Sequence, residues 1–377
     1  MDFDYSDEQR LLDETVRRLV KDEYEFAQRK KYLAEAQGFS AALWAKYAEL
    51  GLLGLPFAEE YGGFGGGGIE TMIVMEAFGR GLAVEPYLAT VVLGGGLVAL
   101  AGSDGQKSAI LPEIAAGNLK LAFAQGERRS RYDLAHVETG AKAQGGGFVL
   151  DGHKTIVPHG GAAHKFIVAA RTAGAATDKN GISLFLVDRD AKGVAVRDYP
   201  TVDGQRAADV SLSNVAVGAD ALLGPRDGAL PIIVRVVDRA LAALCAEAVG
   251  IMETLNAMTL DYIKTRKQFG VPIGSFQVLQ HRMVDMTIAA EQAKSLEILA
   301  AMSADSDDDK ERGRAISAAK VQIGLSGRAV GQGAIQLHGG IGMTDEYAAG
   351  HYFKRLTTIE HTFGDTDYHL DRFPAFA

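Results

Sequence analysis

The feature that most limits what this chain can fold into lies in its last third. Between residues 229 and 337 there are two prolines, Pro231 and Pro272. An interior proline costs a helix ~3 kcal/mol, so their scarcity leaves three long stretches free to run as helix, at 229–264, 276–303 and 310–337. At about 1.5 Å per residue the first alone exceeds ~50 Å. The acidic break Asp305-Ser306-Asp307-Asp308-Asp309 is a solvated turn between the second and third. Long helices joined by short connections read as a bundle, so residues 227–377 are expected to be a C-terminal four-helix bundle.

The rest of the chain divides in two. Residues 1–117 read as an N-terminal α-helical domain. Ser6-x-x-Gln9 is a capping box, with Leu11, Leu12, Val16, Leu19 and Val20 on one helical face behind it. Ser40 can cap a helix carrying Leu43, Trp44, Tyr47 and Leu50, which Gly51 stops, and helical runs are expected at 69–78, 87–101 and 106–116. Residues 118–226 change character. Short β-type runs at 119–123, 148–150, 166–170, 182–187, 194–196 and 210–212 alternate with turns such as Gly145-Gly146-Gly147, Asp151-Gly152 and Lys179-Asn180-Gly181. That spacing predicts a small β-barrel or sandwich. The expected fold class is mostly α with a central β-domain.

Composition removes several functions. Against 39 Lys+Arg stand 48 Asp+Glu, a formal charge of −9. This argues against nucleic acid or an anionic membrane as partner, since both need a basic face. The single cysteine, Cys245, rules out an internal disulfide and a cysteine-built zinc or iron–sulfur site. The longest apolar stretch, 90–101, is too short for the ~20 residues of a membrane span. Residues 1–10 are acidic and show no leader pattern, so a cytoplasmic location is expected. The 45 glycines, against nine prolines, must be explained by where they sit.

No Walker-type phosphate loop, no dinucleotide Gly-x-Gly-x-x-Gly after a strand, no His-Glu-x-x-His and no Gly-x-Ser-x-Gly occurs. Two clusters remain. The first is Tyr262-Ile263-Lys264-Thr265-Arg266-Lys267-Gln268-Phe269-Gly270-Val271-Pro272-Ile273-Gly274, followed by Phe276-Gln277, at the end of the first long helix. An arginine fork there can clamp a phosphate, and the glycines let backbone come close. The second is Gln336-Leu337-His338-Gly339-Gly340-Ile341-Gly342-Met343-Thr344, where the third long helix ends. Taken singly, each is also what a helix C-cap with a turn looks like.

Together, in this order and spacing, the two segments closely resemble those of acyl-CoA dehydrogenases. The helix–β–helix organisation agrees over essentially the whole chain. So do Leu55-Pro56 with Glu60-Tyr61-Gly62-Gly63, Gly152-x-Lys154 and Asp203-Gly204-Gln205-Arg206. Within the family the nearest resemblance is to the small subunits of pimeloyl-CoA dehydrogenases. The resemblance implies an FAD reaction in which a carboxylate removes the α-proton of an acyl-CoA thioester and the flavin accepts the β-hydride, giving a trans-2-enoyl-CoA. It also implies that Arg266, Gln268, Phe269, Gln277, Gln336, Gly339 and Gly340 touch FAD held mainly by a neighbouring subunit. An electron-transferring flavoprotein is the implied acceptor.

The chain departs from the family where the flavin ring and the base belong. The family's Thr-Glu-Pro-Gly-Ala-Gly-Ser-Asp is here Gly126-Glu127-Arg128-Arg129-Ser130-Arg131-Tyr132-Asp133, and its Trp-Ile-Thr/Ser is Ile156-Val157-Pro158. The Tyr-Glu-Gly-Thr segment that usually carries the catalytic Glu matches Thr362-Phe363-Gly364-Asp365, and phenylalanine cannot be a base. The alternative base position on the first long helix falls at about Ala240. Glu247 and Asp238 are the carboxylate candidates nearby, each equally a packing or interface residue, and Asp365 and Glu360 are further candidates. These losses predict a base-lacking subunit of a heteromeric α2β2 dehydrogenase, partnered by a paralogous chain.

Three readings compete with that one. A self-sufficient homo-oligomer with a relocated base is the first, and an acyl-CoA oxidase the second. A metal- or ligand-binding helical bundle using His351, Glu360, His361, Asp365, Asp367 and His369 is the third. Arg128, Arg129 and Arg131 read either as receptors for a CoA phosphate or substrate carboxylate, or as a solvated or partner-facing loop.

Overall fold

A computed structural model describes residues 4–376. They pack as two compact units that interleave along the sequence, one from residues up to 31, 67–83 and 241 onward, the other from 32–66 and 84–240.

The first unit is helical. Helix α1 (Asp7–Glu23) opens on the capping box expected at Ser6 and Gln9 and buries Val16, Leu19 and Val20. Helix α2 (Phe26–Leu33) follows it. Helix α4 (Gly68–Gly81) crosses the later part of α7 (Leu230–Thr265) at backbone contact. A Cβ added to Gly79 would land on the carbonyl oxygen of Glu247, and one on Gly250 would land on that of Glu76. This reciprocal close approach requires glycine on both helices. Helix α8 (Gln277–Ser303) buries Met283, Met286, Ala290, Ala293, Glu297, Ala300 and Ala301, a three-and-four spacing that packs it along α9 (Asp309–His338). Asp308, from the acidic break, caps α9 by accepting the N–H groups of Lys310 and Glu311. Helices α10 (Ala349–His361) and α11 (Thr366–Arg372) pack on α9. The three helices expected from proline spacing thus lie within a residue of where the sequence puts them.

In the second unit α3 (Ala41–Glu49) has its Ser40 cap. The helix expected at 87–101 is instead a π-helical stretch (Leu88–Gly95) running into α5 (Gly96–Ala101). Its glycines explain the wide turn. A Cβ on Gly94 would meet Leu121, one on Gly95 would meet the Phe57 ring, and Thr90 donates to the Leu121 carbonyl at 3.1 Å. Tertiary packing overrides the helical period here. Helix α6 (Asp104–Ala115) follows its own capping box at Ser103 and Gln106.

The β-domain is an eight-stranded sheet of β1 (Leu121–Ala124), β2 (Gly140–Gln144), β3 (Gly147–Pro158), β4 (Lys165–Arg171), β5 (Ile182–Asp188), β6 (Val194–Pro200), β7 (Arg206–Gly218) and β8 (Leu222–Leu223). The order is β6-β7-β3-β2-β4-β5-β8, with β1 parallel on β4. Phe148, Leu150, Phe166, Val168, Phe185, Val187, Val210, Leu212 and Val215 fill its core. The β3–β7 ladder slips between Lys154 and Val157, which places Ile156 on a bulge. No helix among the described residues is long and apolar enough to cross a membrane.

Candidate functional site

The two motifs that the sequence singles out meet at one place in the first unit. After α7 the chain makes a tight hairpin of β9 (Lys267–Gln268) and β10 (Val271–Pro272). Its turn residues, Phe269 (φ 54°) and Gly270 (φ 82°), are both left-handed, as a two-residue hairpin of this type demands. Phenylalanine in that region is strained, and its ring is 90 % exposed, touching only the edge of Phe276 at 6.1 Å between centroids among the ring contacts present. Arg266, Gln268 and Gln277 are exposed beside it.

The second motif ends α9. Gly339 takes φ 63° and turns the chain into a short 3-10 segment (Gly339–Met343). Gln336, Gly339 and Gly340 are exposed, and nothing stands within 4 Å of a Cβ built on either glycine. Three rings join the two motifs. Tyr262, one turn before Arg266, stacks on His338 at 4.6 Å, and His338 lies 5.1 Å from Tyr347. His338 Nδ1 bonds the Ala334 carbonyl at 2.8 Å and so carries the hydrogen, leaving Nε2 to accept from the Tyr347 hydroxyl at 3.2 Å. Burial holds this imidazole below its ordinary pKa, which keeps it neutral as that network requires. Tyr262 and His338 lie inside the two motifs, but no spacing pairs them or adds Tyr347, so this support is missed by motif reading.

The donor set of this surface is a guanidinium, three amide side chains and open glycine backbone. It suits the pyrophosphate and adenosine of a dinucleotide, and no side chain of the described residues fills the space beside Gly270, Gly339 or Gly340.

The carboxylates are placed differently. Glu247 is buried on α7, and its two oxygens accept from Arg355 Nε at 2.5 Å and Nη2 at 2.7 Å, a bidentate pair. Asp238 is also buried on α7, in the second unit's part of that helix, beside Ala240. Glu360 is paired with Arg328, and Asp365 caps α11 by accepting from the Tyr368 N–H at 2.9 Å. Phe363 and Gly364 occupy a left-handed turn between α10 and α11. Among the described residues no group of three or more His, Cys, Asp or Glu side chains could hold a metal, the histidines and carboxylates near the C-terminus included.

In the second unit the stretch 126–133 is anchored by a buried ion pair. Lys154, fully buried, donates to Glu127 at 2.6 Å and to the Gln125 carbonyl at 3.2 Å. Burial pulls the Lys154 pKa down to about 8 against the opposing charge of Glu127. Burial would raise the Glu127 carboxyl, but Lys154 and the Thr139 N–H outweigh it and keep the group below its usual range. Ile156, on its bulge, is 67 % exposed at φ 53°, a rare conformation for a β-branched residue. A separate cavity of about 1170 Å³, lined by Gln106, Ile110, Lys165, Asp188, Val217 and Leu222 among others, holds none of the sequence-predicted site residues.

Comparison with known proteins agrees over the whole length. Residues 6–118, 122–215 and 231–374 match the acyl-CoA dehydrogenase N-terminal, middle and C-terminal domains. The chain is 32 % identical over 365 residues to a probable acyl-CoA dehydrogenase, YngJ, of Bacillus subtilis, covering 96 % of this chain and 95 % of that one. Among solved structures it resembles the ChsE4-ChsE5 complex of Mycobacterium tuberculosis, with a TM-score of 0.88, 27 % identity and coverage of 100 % and 98 %. It also resembles the Tcur3481-Tcur3483 steroid acyl-CoA dehydrogenase, with a TM-score of 0.87, 28 % identity and coverage of 98 % and 97 %. The chain therefore belongs to the acyl-CoA dehydrogenase family.

Proposed function

We propose that this chain is the base-lacking subunit of a heteromeric α2β2 FAD-dependent acyl-CoA dehydrogenase, acting with a paralogous subunit on a CoA thioester. The observation that carries the reading is the contrast between the two halves of the chemistry. The surface made by Arg266, Gln268, Phe269, Gln277, Gln336, Gly339 and Gly340 is exposed and open. Two of the candidate carboxylates are engaged elsewhere: Glu247 by Arg355 and Glu360 by Arg328. A base must be within reach of the proton it takes, and Glu247, buried and fixed bidentately by a guanidinium, is held in a structural pair.

FAD, when bound, supplies the hydride acceptor. What this chain supplies is the grip. Arg266 meets pyrophosphate charge, the amides of Gln268, Gln277 and Gln336 hydrogen-bond the nucleotide, and Gly339 and Gly340 admit it against bare backbone. The partner subunit contributes the ring pocket and the carboxylate that takes the α-proton. The resemblance to pimeloyl-CoA dehydrogenase small subunits and the likeness to a steroid dehydrogenase and to a two-protein complex support a bulky or dicarboxylic acyl group and a second chain. An electron-transferring flavoprotein is the acceptor in this reading, and the cytoplasm its location.

Purification of the chain alone and with its paralogous partner, with flavin counted and dye-linked activity measured, tests it. The expected result is a colourless, inactive chain alone and one FAD per pair of chains in an active complex. Full flavin loading and activity alone would refute it. A second reading, a self-sufficient enzyme, has one observation in its favour: Asp238 is buried two residues before Ala240, where the family's alternative base falls. In that case Asp238→Asn abolishes turnover of the chain alone while leaving its flavin in place.

A further inference from the structure

One buried acid of the first unit is left without an answering charge of its own. Glu297 of α8 is fully buried, and neither of its carboxyl oxygens has a hydrogen-bond partner among the described residues. Lys294 Nζ comes within 2.9 Å of Oε2 but is not aligned to donate to it, and donates to Glu76 of α4 instead. Glu76 is a hub. It also accepts from Arg80 at 2.6 Å and lies 3.5 Å from Arg17 of α1. Arg80 pairs with Glu253 of α7 as well, and Arg17 pairs with Asp13 at 2.5 Å. Four carboxyl groups, Asp13, Glu76, Glu253 and Glu297, thus share three cations, Arg17, Arg80 and Lys294. Leaving out the Arg17–Asp13 pair at the surface leaves three carboxyls to two cations. The excess of one negative charge therefore does not depend on where the edge of the cluster is drawn, and one proton removes it.

The cluster is graded from wet to dry. Arg17 and Glu253 form its solvent-facing rim, Glu76 lies deeper, and Glu297 is the dry end. A carboxylate at the rim stays ionised with imperfect pairing, whereas at the dry end the charged form is the costly one. Burial lifts the Glu297 carboxyl well above its usual range; Lys294 opposes this, and the charges of Glu76 and Glu253 add to it. Burial acts on Glu76 too, but Lys294 and Arg80 outweigh it and keep that carboxyl below its usual range. The groups that face Glu297 from the remaining elements do not restore the balance. Ser326 Oγ of α9 donates to the Ala289 carbonyl at 2.7 Å and Gln322 to Gln292 at 3.3 Å, a register that sets Ser317 opposite Glu297. The buried Ser317 hydroxyl also lacks a partner among the described residues. Lys320, one turn further along α9, is engaged by the Ile359 and Glu360 carbonyls at 2.6 and 3.1 Å. Arg312, on the other side of Ser317, pairs with Asp309 and donates to the Ser306 carbonyl at 2.7 Å. Cys245 of α7 is kept neutral by burial, which pushes its thiol up to about 12, and burial likewise raises the phenol of Tyr5 ahead of α1.

We propose that Glu297 holds a proton in the folded protein at neutral pH and is the bolt of a pH-sensitive latch that ties α8 to α4 and α7. With the proton in place the cluster is neutral, and the carboxyl can meet the Ser317 hydroxyl that faces it. Once the proton leaves to water, the dry end carries a charge that no cation of the cluster is free to match. That charge is relieved when water enters between α8 and α4, or when Lys294 leaves Glu76. The unfolded chain releases this proton near pH 4.5, so the stability it confers is complete below that pH and is lost as pH rises through the higher folded-state value. Alkaline pH therefore opens the latch.

The latch lies within the first unit and needs neither flavin nor a partner chain, so it can fail while the dehydrogenase reading stands. Infrared difference spectra of the full chain at neutral pH, wild type minus Glu297→Gln, test the proton directly. The expected result is a protonated-carboxyl C=O band in the wild type that the variant lacks. Glu76→Gln removes the excess charge and frees Lys294 for Glu297, so it is expected to weaken the same band by a different route. Hydrogen exchange of α4 and α8 peptides, corrected for its intrinsic pH dependence, tests the latch. Protection in the wild type is expected to fall about tenfold or more between about pH 6 and pH 9, and to stay level in Glu297→Gln, which is neutral at every pH. Glu85, which burial also raises, lies in the second unit and is read by other peptides. The inference is overturned if the band is missing from the wild type or undiminished in Glu76→Gln. It is overturned equally by wild-type protection that does not change with pH, or by the same fall in Glu297→Gln.

Discussion

At the scale of single residues, two buried carboxylates make opposite statements. Glu247 is matched by Arg355 in a bidentate pair, and breaking one side of such a pair leaves a buried charge unanswered, at a cost of about 3–5 kcal/mol. Arg355→Ala is therefore expected to lower the unfolding midpoint sharply, and Glu247→Gln to lower it as well. A catalytic role for Glu247 would instead show as lost turnover at unchanged stability, so melting curves and activity measured together separate the two. Glu85, buried in the second unit, has no such cation. It accepts the Ser40 N–H and the Tyr47 hydroxyl, both at 3.3 Å, and burial raises its pKa to about 7 against those hydrogen bonds. A folded-state pKa above the unfolded value means that the folded protein holds a proton the unfolded chain releases. The resulting stability is full below about pH 4.5 and is lost as pH rises through 7. Glu85→Gln removes this dependence. Denaturation at pH 5 and pH 8 should show the variant gaining on the wild type at the higher pH, by an amount on the order of 2–3 kcal/mol.

At the scale of elements, the α4–α7 crossing joins the fold to the site. Because Gly79 and Gly250 let the two backbones touch, Glu247 is held where Arg355 of α10 reaches it. Gly79→Ala or Gly250→Ala forces the helices apart. An overpacking cost of about 1–3 kcal/mol is expected in urea unfolding, more than an exposed glycine such as Gly105 would show, where a Cβ meets nothing. How much of this was legible in the sequence follows from the range of each interaction. Helix limits set by prolines, Ser6, Ser40 and the Asp305–Asp309 break depend on neighbours a few residues apart, and the expectation there matches α1, α3, α8 and α9. The π-helical stretch at Leu88–Gly95 depends on Phe57 and Leu121, distant in sequence, and a helical period says nothing of them. The site divides the same way. Arg266 to Gln277 and Gln336 to Gly340 could be picked out because each is a local motif. The pairing of Glu247 with Arg355 spans 108 positions and that of Glu127 with Lys154 spans 27, and no spacing rule announces either.

At the scale of the whole molecule, the remaining question is what covers the apolar surface that the fold leaves open. Val284, Ile288, Leu299 and Met302 are 56, 50, 44 and 45 % exposed. At about 100° per residue they fall on one stripe of α8, opposite in kind to its buried alanine and methionine face. The same helix begins at Gln277, directly after the hairpin that carries the exposed Phe269. An exposed stripe of large apolar side chains that starts directly after this hairpin is what a subunit contact looks like. If FAD is gripped by this hairpin as proposed, the occupant that fits is a second dehydrogenase-type chain that holds it from the other side. Val284→Glu combined with Ile288→Glu places charge on that stripe without touching the core. In sedimentation velocity the variant is expected to shift to a smaller species than the wild-type complex, and its FAD content should fall with it. Its far-ultraviolet circular dichroism should stay unchanged. A ligand that binds only the assembled state stabilises it by RT ln(1 + [L]/Kd), about 2.7 kcal/mol at a hundredfold excess over Kd. Added FAD should therefore raise the melting temperature of the wild-type complex and leave that of the variant where it was. If the variant keeps both its size and its FAD-dependent shift, α8 faces solvent in the working enzyme and the grip on FAD is made within one chain.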